Sequence, residues 1–253
     1  MKEYCDIELS ENELTEAILN AKISKKNKLL YEENEILRKR KSDDLVKPFN
    51  ADQLVDFCQR FYEERFYKKF EIDEDNKMLV ELLSWYFTND ERFTETGRSL
   101  KKGILIMGNV GTGKTELMAF FQKNKKCCYT IRHCKKIAEE YLLYSKDSDF
   151  TIEGNYSTPI EKPLHDPSVF FQKYIGYCFD DLGTEENKNN YGNKKNVMAD
   201  IVTSIYDKKD FSKFHMTTNL DKTELERILG TRVTSRMREM FNVFVYNGKD
   251  RRK

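Results

Sequence analysis

Short apolar runs alternate with amphipathic segments over residues 103–246 of the chain. A short apolar run predicts a buried strand, and apolar residues one helical turn apart predict a helix. The predicted strands are 103–107, 128–132, 175–180, 213–218 and 242–246, and the predicted helices are 113–123, 134–145 and 194–208, with further short helices over 221–240. This alternation is typical of a three-layer α/β fold, a parallel sheet between helices, with ligands at the carboxyl ends of the strands. The stretch 146–168, which holds Gly154 and three prolines, is predicted to be a long irregular insertion.

Residues 1–47 are highly charged and helical in pattern. Ser10 and Glu13 form a capping-box signature, and a thin line of apolar residues follows: Leu14, Ala17, Ile18, Ala21, Leu29, Leu30, Ile36 and Leu37. Such a stripe cannot build its own core. The segment is therefore either a solvated or partly disordered arm or a docking module for another protein. The basic run at 38–41 has two similar interpretations, a solvated face or a phosphate contact.

A second helical region, 48–94, follows the boundary marked by Pro48. Asn50 and Gln53 resemble another capping box. The helical segment that begins there carries the aromatic residues Phe57, Phe61, Tyr62, Phe66, Tyr67 and Phe70. The basic residues Arg60, Arg65, Lys68 and Lys69 lie among them. Aromatic residues at this spacing are usually core, although the interleaved basic residues would also suit nucleic acid. A further helix at 76–87 is predicted to pack on the sheet, which divides the chain into an arm at 1–47, a helical linker at 48–94 and an α/β domain at 95–253.

The composition restricts the class of protein. A chain of 253 residues can bury one good-sized core and carry an extension. Its 44 basic and 43 acidic residues nearly balance, so the net charge does not require a nucleic-acid or membrane partner. We expect a cytoplasmic protein without a membrane partner, because there is neither a long apolar stretch nor a signal-peptide start. The six cysteines lack zinc-site spacing and are expected to be buried or free thiols.

Residues 108–115 read GNVGTGKT, an unbroken G-x-x-x-x-G-K-[ST] placed after a predicted strand and before a predicted helix. Glycines allow the backbone to point successive N–H groups at a phosphate, and the helix N-terminus adds its dipole. The lysine of this motif reaches the β- and γ-phosphates, and its threonine holds Mg²⁺. The predicted nucleotide-binding residues are Gly108, Asn109, Val110, Gly111, Thr112, Gly113, Lys114, Thr115 and Glu116.

Two carboxylates follow the buried strand Tyr177-Cys178-Phe179. In register with the P-loop, Asp180 matches the Walker B position and is predicted, with Thr115, to hold Mg²⁺. Asp181 stands where a general base would polarise the attacking water. Many related ATPases have glutamate there, so the shorter Asp181 predicts slow hydrolysis, which Glu185 or Glu186 could assist.

Polar residues also end the next strand, in HMTTN at 215–219. Asn219 is predicted to position water between Asp181 and the γ-phosphate, and the alternative is that it caps the helix that begins near Asp221. Further along, Arg232 and Arg236 lie one helical turn apart. Either arginine could stabilise the transferring phosphoryl group of a neighbouring subunit, or form a surface ion pair with Glu239 or Asp221.

Taken together, these motifs resemble the AAA+ helicase-loader family typified by DnaC and DnaI, and more distantly the IstB transposition helper ATPases. The resemblance covers residues 95–250 and is carried by GNVGTGKT (108–115), CFDDLGTEE (178–186), TTNL (217–220) and GTRVTSRM (230–237). It implies a P-loop AAA+ fold with a reduced or absent C-terminal lid. It also places Arg236 at the family's trans-acting arginine, and makes Asp181, Asn219 and Arg236 the catalytic candidates.

The function that the resemblance implies is an ATPase, slow and partner-stimulated, that binds ATP and Mg²⁺. Its implied partners are a DnaB-type replicative helicase, single-stranded DNA and further copies of the chain in an ATP-dependent homo-oligomer. Two alternatives remain open: an IstB-like transposition helper, and a nucleotide-gated adaptor with little hydrolysis. A small-molecule kinase is disfavoured, since Asn219 and Arg236 would have no role in one.

Overall fold

The computed structural model describes residues 50–124, 126–144, 152–161, 174–185, 188–190 and 193–252, together with 18, 21, 22, 24–26, 28 and 29. The chain divides into two compact units, Met1–Pro48 and Phe49–Lys253. In the first unit the described residues are helical. The capping signature at 10–13 and the basic run at 38–41 lie outside the described residues, so both remain predictions.

The second unit is built on a parallel sheet. Its strands are β1 (Gly103–Met107), β2 (Tyr129–His133), β4 (Tyr174–Asp180), β7 (Phe214–Thr218) and β8 (Phe241–Val245), in the order β2-β4-β7-β1-β8. The short β3 (Ile160–Glu161) pairs antiparallel with the start of β4. Strands β5 (Lys188–Asn190) and β6 (Asn193–Lys195) form a separate antiparallel pair. The parallel sheet and its flanking helices confirm the predicted α/β fold of the P-loop AAA+ type.

Helices flank the sheet at nearly the predicted positions. They are α1 (Ala51–Phe66), α2 (Lys77–Thr88), α3 (Arg92–Glu95), α4 (Lys114–Phe120), α5 (Cys134–Tyr144), α6 (Ile152–Tyr156), α7 (Val197–Lys208), α8 (Lys222–Leu229) and α9 (Thr231–Met240). Helix α1 begins with the predicted capping box: Gln53 N donates to Asn50 Oδ1 at 2.8 Å, and Asn50 N donates to Gln53 Oε1 at 3.2 Å. The short helices predicted over 221–240 are α8 and α9, which meet at Gly230.

Each face of the sheet is covered by its own apolar cluster. On one face, Leu83 of α2 and Tyr62 of α1 are buried in the same cluster as Ile104 of β1. On the other face, Ile201 of α7 and Met237 of α9 belong to the cluster that holds β-strand residues such as Phe179. Burial on both faces explains why the strands are continuous apolar runs rather than alternating ones.

The aromatic residues of the linker region have mixed environments. Tyr62 and Phe70 are buried, as a core interpretation predicts, and their rings lie 5.5 Å apart. Tyr67, however, is 94% exposed and terminates α1 in the left-handed conformation. Part of this aromatic stretch is therefore core and part of it faces solvent.

The predicted irregular insertion has regular structure in its described part, because it contains α6 and β3. Tyr156 anchors it, with its ring 5.4 Å from that of Tyr177. After β8, residues Tyr246–Arg252 continue without helix or strand; we call this segment the β8 extension. Among the described helices, none combines the length and the apolar character that a membrane span needs.

Candidate nucleotide-binding site

The P-loop passes from the end of β1 to the start of α4, and its glycines are enclosed by the β8 extension. A Cβ atom on Gly108 would lie 2.0 Å from the carbonyl oxygen of Tyr246. Gly111 has φ +83°, and a Cβ there would lie 2.0 Å from Asp250 Oδ1. Alanine at Gly108 would displace the backbone of the extension, and alanine at Gly111 would displace the Asp250 side chain and strain a left-handed backbone.

Lys114 is held inside the loop. Its Nζ donates to the carbonyl oxygens of Gly108 at 2.7 Å and of Asn109 at 2.6 Å, and the residue is 4% exposed. Burial lowers the pKa of Lys114, while the charges of Asp181 and Asp180 oppose that shift. The ammonium group is thus held by carbonyl oxygens of the P-loop itself.

Asp180 accepts two hydroxyl hydrogen bonds at one oxygen. Thr115 Oγ1 donates to Asp180 Oδ1 at 2.7 Å, and Thr217 Oγ1 donates to the same oxygen at 2.6 Å. Asp180 is fully buried, and its Oδ2 has no hydrogen-bond partner within the described part of the chain. A buried carboxylate oxygen left in this state suits a hydrated divalent cation. The structure therefore brings together the two predicted metal-binding residues.

Asp181 and Asn219 meet at the ends of β4 and β7. Asn219 Nδ2 donates to Asp181 Oδ1 at 3.0 Å, and Asp181 has a left-handed backbone with φ +56°. The alternative role of Asn219 as a helix cap is wrong, because Asp221 caps α8 in a capping box with Glu224. Both predicted residues line a polar cavity of about 210 Å³ beside the loop.

His133 belongs to this site, although the sequence analysis did not identify it. It ends β2, and its Nδ1 lies 3.4 Å from Asp180 Oδ2 and 3.9 Å from Asp181 Oδ2. These three residues could share a metal ion. The signal was present in the pattern: a polar residue ends a predicted parallel strand, and the ends of neighbouring parallel strands meet at one edge. Thr217 was predicted only as a member of the TTNL motif (217–220), with no role of its own.

Glu116 lines the polar cavity, as predicted, while its carboxylate is bonded to the helical linker. It accepts hydrogen bonds from Tyr62 Oη at 2.6 Å and from Lys68 Nζ. Burial alone would raise the pKa of Glu116, but these two partners outweigh it and lower that pKa. Glu116 also lines a second cavity of about 500 Å³, shared with Phe70 and Tyr246 and adjoining the polar one at Gly113.

The polar cavity has a lining that no sequence motif indicated, since Arg251 and Arg252 of the β8 extension face it together with Lys114. The sequence of this segment contains no signal for either arginine, because it has neither a periodic pattern nor a motif. Two further cations therefore accompany the P-loop lysine at this site.

Arg236 is not among the residues that line this cavity. Its guanidinium lies 4.6 Å from the ring centre of Tyr206, whose hydroxyl donates to Glu239 at 2.9 Å. Arg236 therefore does not form the ion pair with Glu239 that was the predicted alternative. It stacks instead on Tyr206, which is hydrogen-bonded to Glu239. Arg232 is exposed on the same helix.

Glu185 is buried rather than presented to the cavity. Gly183 N donates to its Oε2 at 2.7 Å, and burial raises the pKa of Glu185 to about 6. Glu186 lies outside the described residues, so its predicted assistance stays a prediction.

No protein-family model and no curated protein matches the chain. Among the solved structures similar to it are the following two. The crystal structure of the DnaC helicase loader has a TM-score of 0.46 and 16% identity, over 70% of this chain and 93% of that one. The crystal structure of a DNA replication initiation factor has a TM-score of 0.47 and 18% identity, over 70% of this chain and 48% of that one.

Proposed function

We propose that this chain is a magnesium-dependent P-loop ATPase that acts in DNA replication as a helicase-loader-like adaptor. The observation that carries the nucleotide part is the meeting of two distant motifs: Thr115, next to Lys114 in the P-loop, donates to Asp180 Oδ1 at 2.7 Å. The replication part is supported by the motif resemblance. We also propose a cytoplasmic location.

The residues present fit a nucleoside triphosphate with Mg²⁺. The loop N–H groups and Lys114 would bind the phosphates, and the second cavity, beside Phe70 and Tyr246, would receive the nucleoside. Thr115 and Asp180, whose Oδ2 accepts no hydrogen bond from the described residues, would hold Mg²⁺, which supplies neutralising charge on the phosphates when bound.

Asp181 is the general base of the proposed hydrolysis. Its side chain is one-third exposed, which allows a water molecule to reach it. Asn219 holds Asp181 Oδ1, and so fixes the direction in which the other oxygen can accept a proton. Aspartate is one methylene shorter than glutamate, so we expect turnover to be slow until a partner adjusts the site.

The proposed partners are those of a loader: a DnaB-type replicative helicase, single-stranded DNA, and further copies of this chain in an ATP-dependent homo-oligomer. Arg236 would act on the nucleotide of a neighbouring copy, which is compatible with its place outside the cavity of its own chain. An IstB-like protein would have a transposase as its partner instead. Co-purification with the helicase or with the transposase separates the two.

A second candidate is a nucleotide-gated adaptor with little hydrolysis. The observation that favours it is the hydrogen bond from Asn219 to Asp181, which occupies one oxygen of a base that is already short. Such a protein would bind ATP tightly and release phosphate hardly faster than the uncatalysed reaction. Single-turnover measurements distinguish it from a slow ATPase.

The first experiment is ATP binding by the Lys114→Ala variant. Lys114 is the P-loop cation, so its loss should abolish measurable ATP affinity while the fold persists, as judged by circular dichroism. Lys101→Ala removes an exposed lysine just before β1 and is the matched control. If folded Lys114→Ala bound ATP as tightly as the control, the nucleotide assignment would be overturned. Asp180→Asn should instead keep ATP binding and weaken its dependence on Mg²⁺.

A further inference from the structure

The two carboxylates at the end of β4 each have one oxygen held by hydrogen bonds. Asp180 Oδ1 accepts from Thr115 Oγ1 at 2.7 Å and from Thr217 Oγ1 at 2.6 Å. Asp181 Oδ1 accepts from Asn219 Nδ2 at 3.0 Å. Asp180 Oδ2 is buried and accepts no hydrogen bond from the described residues. Because the Oδ1 atoms are held, both carboxylates have a fixed orientation, as metal-binding carboxylates have in proteins.

His133 lies opposite the two Oδ2 atoms. It is paired with Asp180 in the parallel register of β2 and β4. Its Nδ1 lies 3.4 Å from Asp180 Oδ2 and 3.9 Å from Asp181 Oδ2, and the three ligand atoms lie within 4.8 Å of one another. The shorter distance exceeds that of an ordinary N–H···O hydrogen bond. His133 therefore approaches the buried oxygen of Asp180 without satisfying it.

These separations match the spacing of ligands around one metal ion. Two ligand atoms that each lie about 2.1 Å from an ion are about 3.0 Å apart at a right angle and about 3.4 Å apart at the tetrahedral angle. The distance from His133 to Asp180 is of this size. The side chains of His133 and Asp181 are 49% and 34% exposed, so both can turn to shorten the distance between them. The cluster can thus close around one ion while Asp180 stays fixed in the core.

The chemical character of the three ligands selects the kind of ion. Mg²⁺ prefers oxygen ligands and keeps several waters, whereas imidazole nitrogen suits Zn²⁺ and the neighbouring first-row transition ions. One nitrogen and two carboxylate oxygens form a three-ligand site that leaves a further position of the ion to water. His133 is therefore the residue that distinguishes this cluster from a magnesium site.

We propose that His133, Asp180 and Asp181 bind a divalent transition-metal ion such as Zn²⁺ or Co²⁺ in the nucleotide-free chain, and that this ion blocks ATP hydrolysis until it is released. The second half of the proposal rests on the proposed nucleotide function. With Asn219 at one oxygen of Asp181 and the ion at the other, both oxygens are engaged and Asp181 can no longer act as the base. Asp180 Oδ2 would likewise be withheld from the Mg²⁺ that accompanies ATP.

The binding test uses the full chain without nucleotide, freed of metal by a chelator and titrated with Co²⁺ or with Mg²⁺ in a calorimeter. The unaltered chain should bind Co²⁺ more tightly than Mg²⁺. His133→Ala should lower the Co²⁺ affinity by at least about 10- to 100-fold, the loss that even an outer partner of a metal ligand causes, and should change the Mg²⁺ affinity little. Glu139→Gln removes an exposed carboxylate from α5 and should bind Co²⁺ as the unaltered chain does.

Two results of the titrations would overturn the proposed site. One is a folded, unaltered chain that binds Co²⁺ no more tightly than Mg²⁺. The other is equal Co²⁺ affinity in the unaltered chain and in folded His133→Ala, because the ion would then be bound elsewhere. Neither result involves ATP, so the nucleotide function would be judged separately by ATP binding.

The inhibitory half is tested by phosphate release with Mg²⁺ and ATP in excess. One equivalent of Co²⁺, added before ATP at a chain concentration above the Co²⁺ dissociation constant, should lower turnover of the unaltered chain by about 10²-fold, the smaller end of what a general base contributes. Each variant is compared with its own rate without Co²⁺, and His133→Ala should lose a much smaller fraction of its rate than Glu139→Gln.

The outcomes of this second test also separate the inference from the function on which it rests. Equal fractional losses in the two variants would show that Co²⁺ acts on the nucleotide rather than through His133, and the inhibitory half would be wrong. If the unaltered chain released no phosphate although His133-dependent Co²⁺ binding was present, the proposed hydrolysis and its inhibition would fail while the metal site remained.

Discussion

The hydroxyl of Thr217 donates a 2.6 Å hydrogen bond to Asp180 Oδ1, and both residues are fully buried. The same hydroxyl oxygen accepts from the backbone N–H of Asp181 at 3.0 Å. One side chain of β7 therefore fixes both carboxylate residues at the end of β4. The proposed metal-binding residue and the proposed base are positioned together rather than separately.

We expect Thr217→Val to lower both stability and turnover. The methyl group that replaces the hydroxyl leaves a buried carboxylate oxygen and a backbone N–H each with one fewer partner, which costs about 1–3 kcal/mol. Chemical denaturation measures the free energy of unfolding, and phosphate release measures turnover. Thr217→Ser keeps the hydroxyl and should retain turnover; a serine variant as slow as the valine variant would argue against this role.

Asp181→Asn should retain ATP binding and lose turnover. Asparagine tolerates the left-handed backbone of this position, so the change removes the proton acceptor with little backbone cost. A general base contributes about 10²- to 10⁴-fold, and a loss in that range is expected in single-turnover phosphate release. Asp207→Asn, an exposed carboxylate on α7, is the control and should hydrolyse ATP normally. Unchanged turnover in Asp181→Asn would mean that Asp181 is not the general base. Either another residue would then be the base, or the chain would be the adaptor with little hydrolysis.

Much of the fold could be predicted because the strands are buried on both faces and therefore appear as continuous apolar runs. The P-loop and the residues that end β4 and β7 could be predicted for a related reason: parallel strands present their carboxyl ends at one edge, so motifs far apart in sequence meet there. His133 obeys the same rule and could have been found from the end of β2.

The contacts of the β8 extension could not be predicted in this way. Arg251 and Asp73 are 178 positions apart, and neither belongs to a periodic pattern or a motif. Their contact depends on where an irregular segment crosses the loop, which the backbone hydrogen bonds to Met107 and Gly111 determine.

His215 predicts a specific dependence of stability on pH. It is fully buried between aromatic rings; Ile104 N donates to its Nδ1 at 3.2 Å, and its Nε2 has no partner among the described residues. Burial lowers the pKa of His215 to about 3, with a contribution from the charge of Lys126. Because the folded state binds the proton more weakly than the unfolded state, stability is lost as pH falls below about 6.5, the unfolded pKa.

The expected loss from His215 between about pH 8 and about pH 5 is about 2 kcal/mol. Glu185, whose raised pKa favours stability at lower pH, opposes part of it. The measurement is therefore a comparison: His215→Leu should be less stable than the unaltered chain at about pH 8, and the gap should narrow by about 2 kcal/mol at about pH 5. A gap that does not change with pH would show that His215 is not kept neutral by the fold.

Arg236→Ala should bind ATP normally and hydrolyse it slowly, with a loss on the order of 10³-fold if the arginine acts on a neighbouring subunit. A mixture of Arg236→Ala and Lys114→Ala should then recover activity, because one variant lends an intact arginine to the intact P-loop of the other. Arg232→Ala, one turn away on α9, is the matched variant and should be unaffected. No recovery in a mixture shown to co-assemble would mean that Arg236 only packs on Tyr206.

Deleting residues 1–47 should leave ATP binding intact and remove association with the helicase. The described residues between 18 and 29 are helical and exposed, and the chain divides after Pro48, so the nucleotide site lies wholly in the second unit. An exposed, highly charged helix without a core of its own is suited to order on a partner. Binding to single-stranded DNA should persist in the truncated protein and weaken as salt concentration rises, because it would depend on phosphate contacts made by the second unit. The measurement is a pull-down with purified helicase, and ATP binding is the control for folding. If the truncated protein captured the helicase at full affinity, helicase docking would belong to the second unit instead.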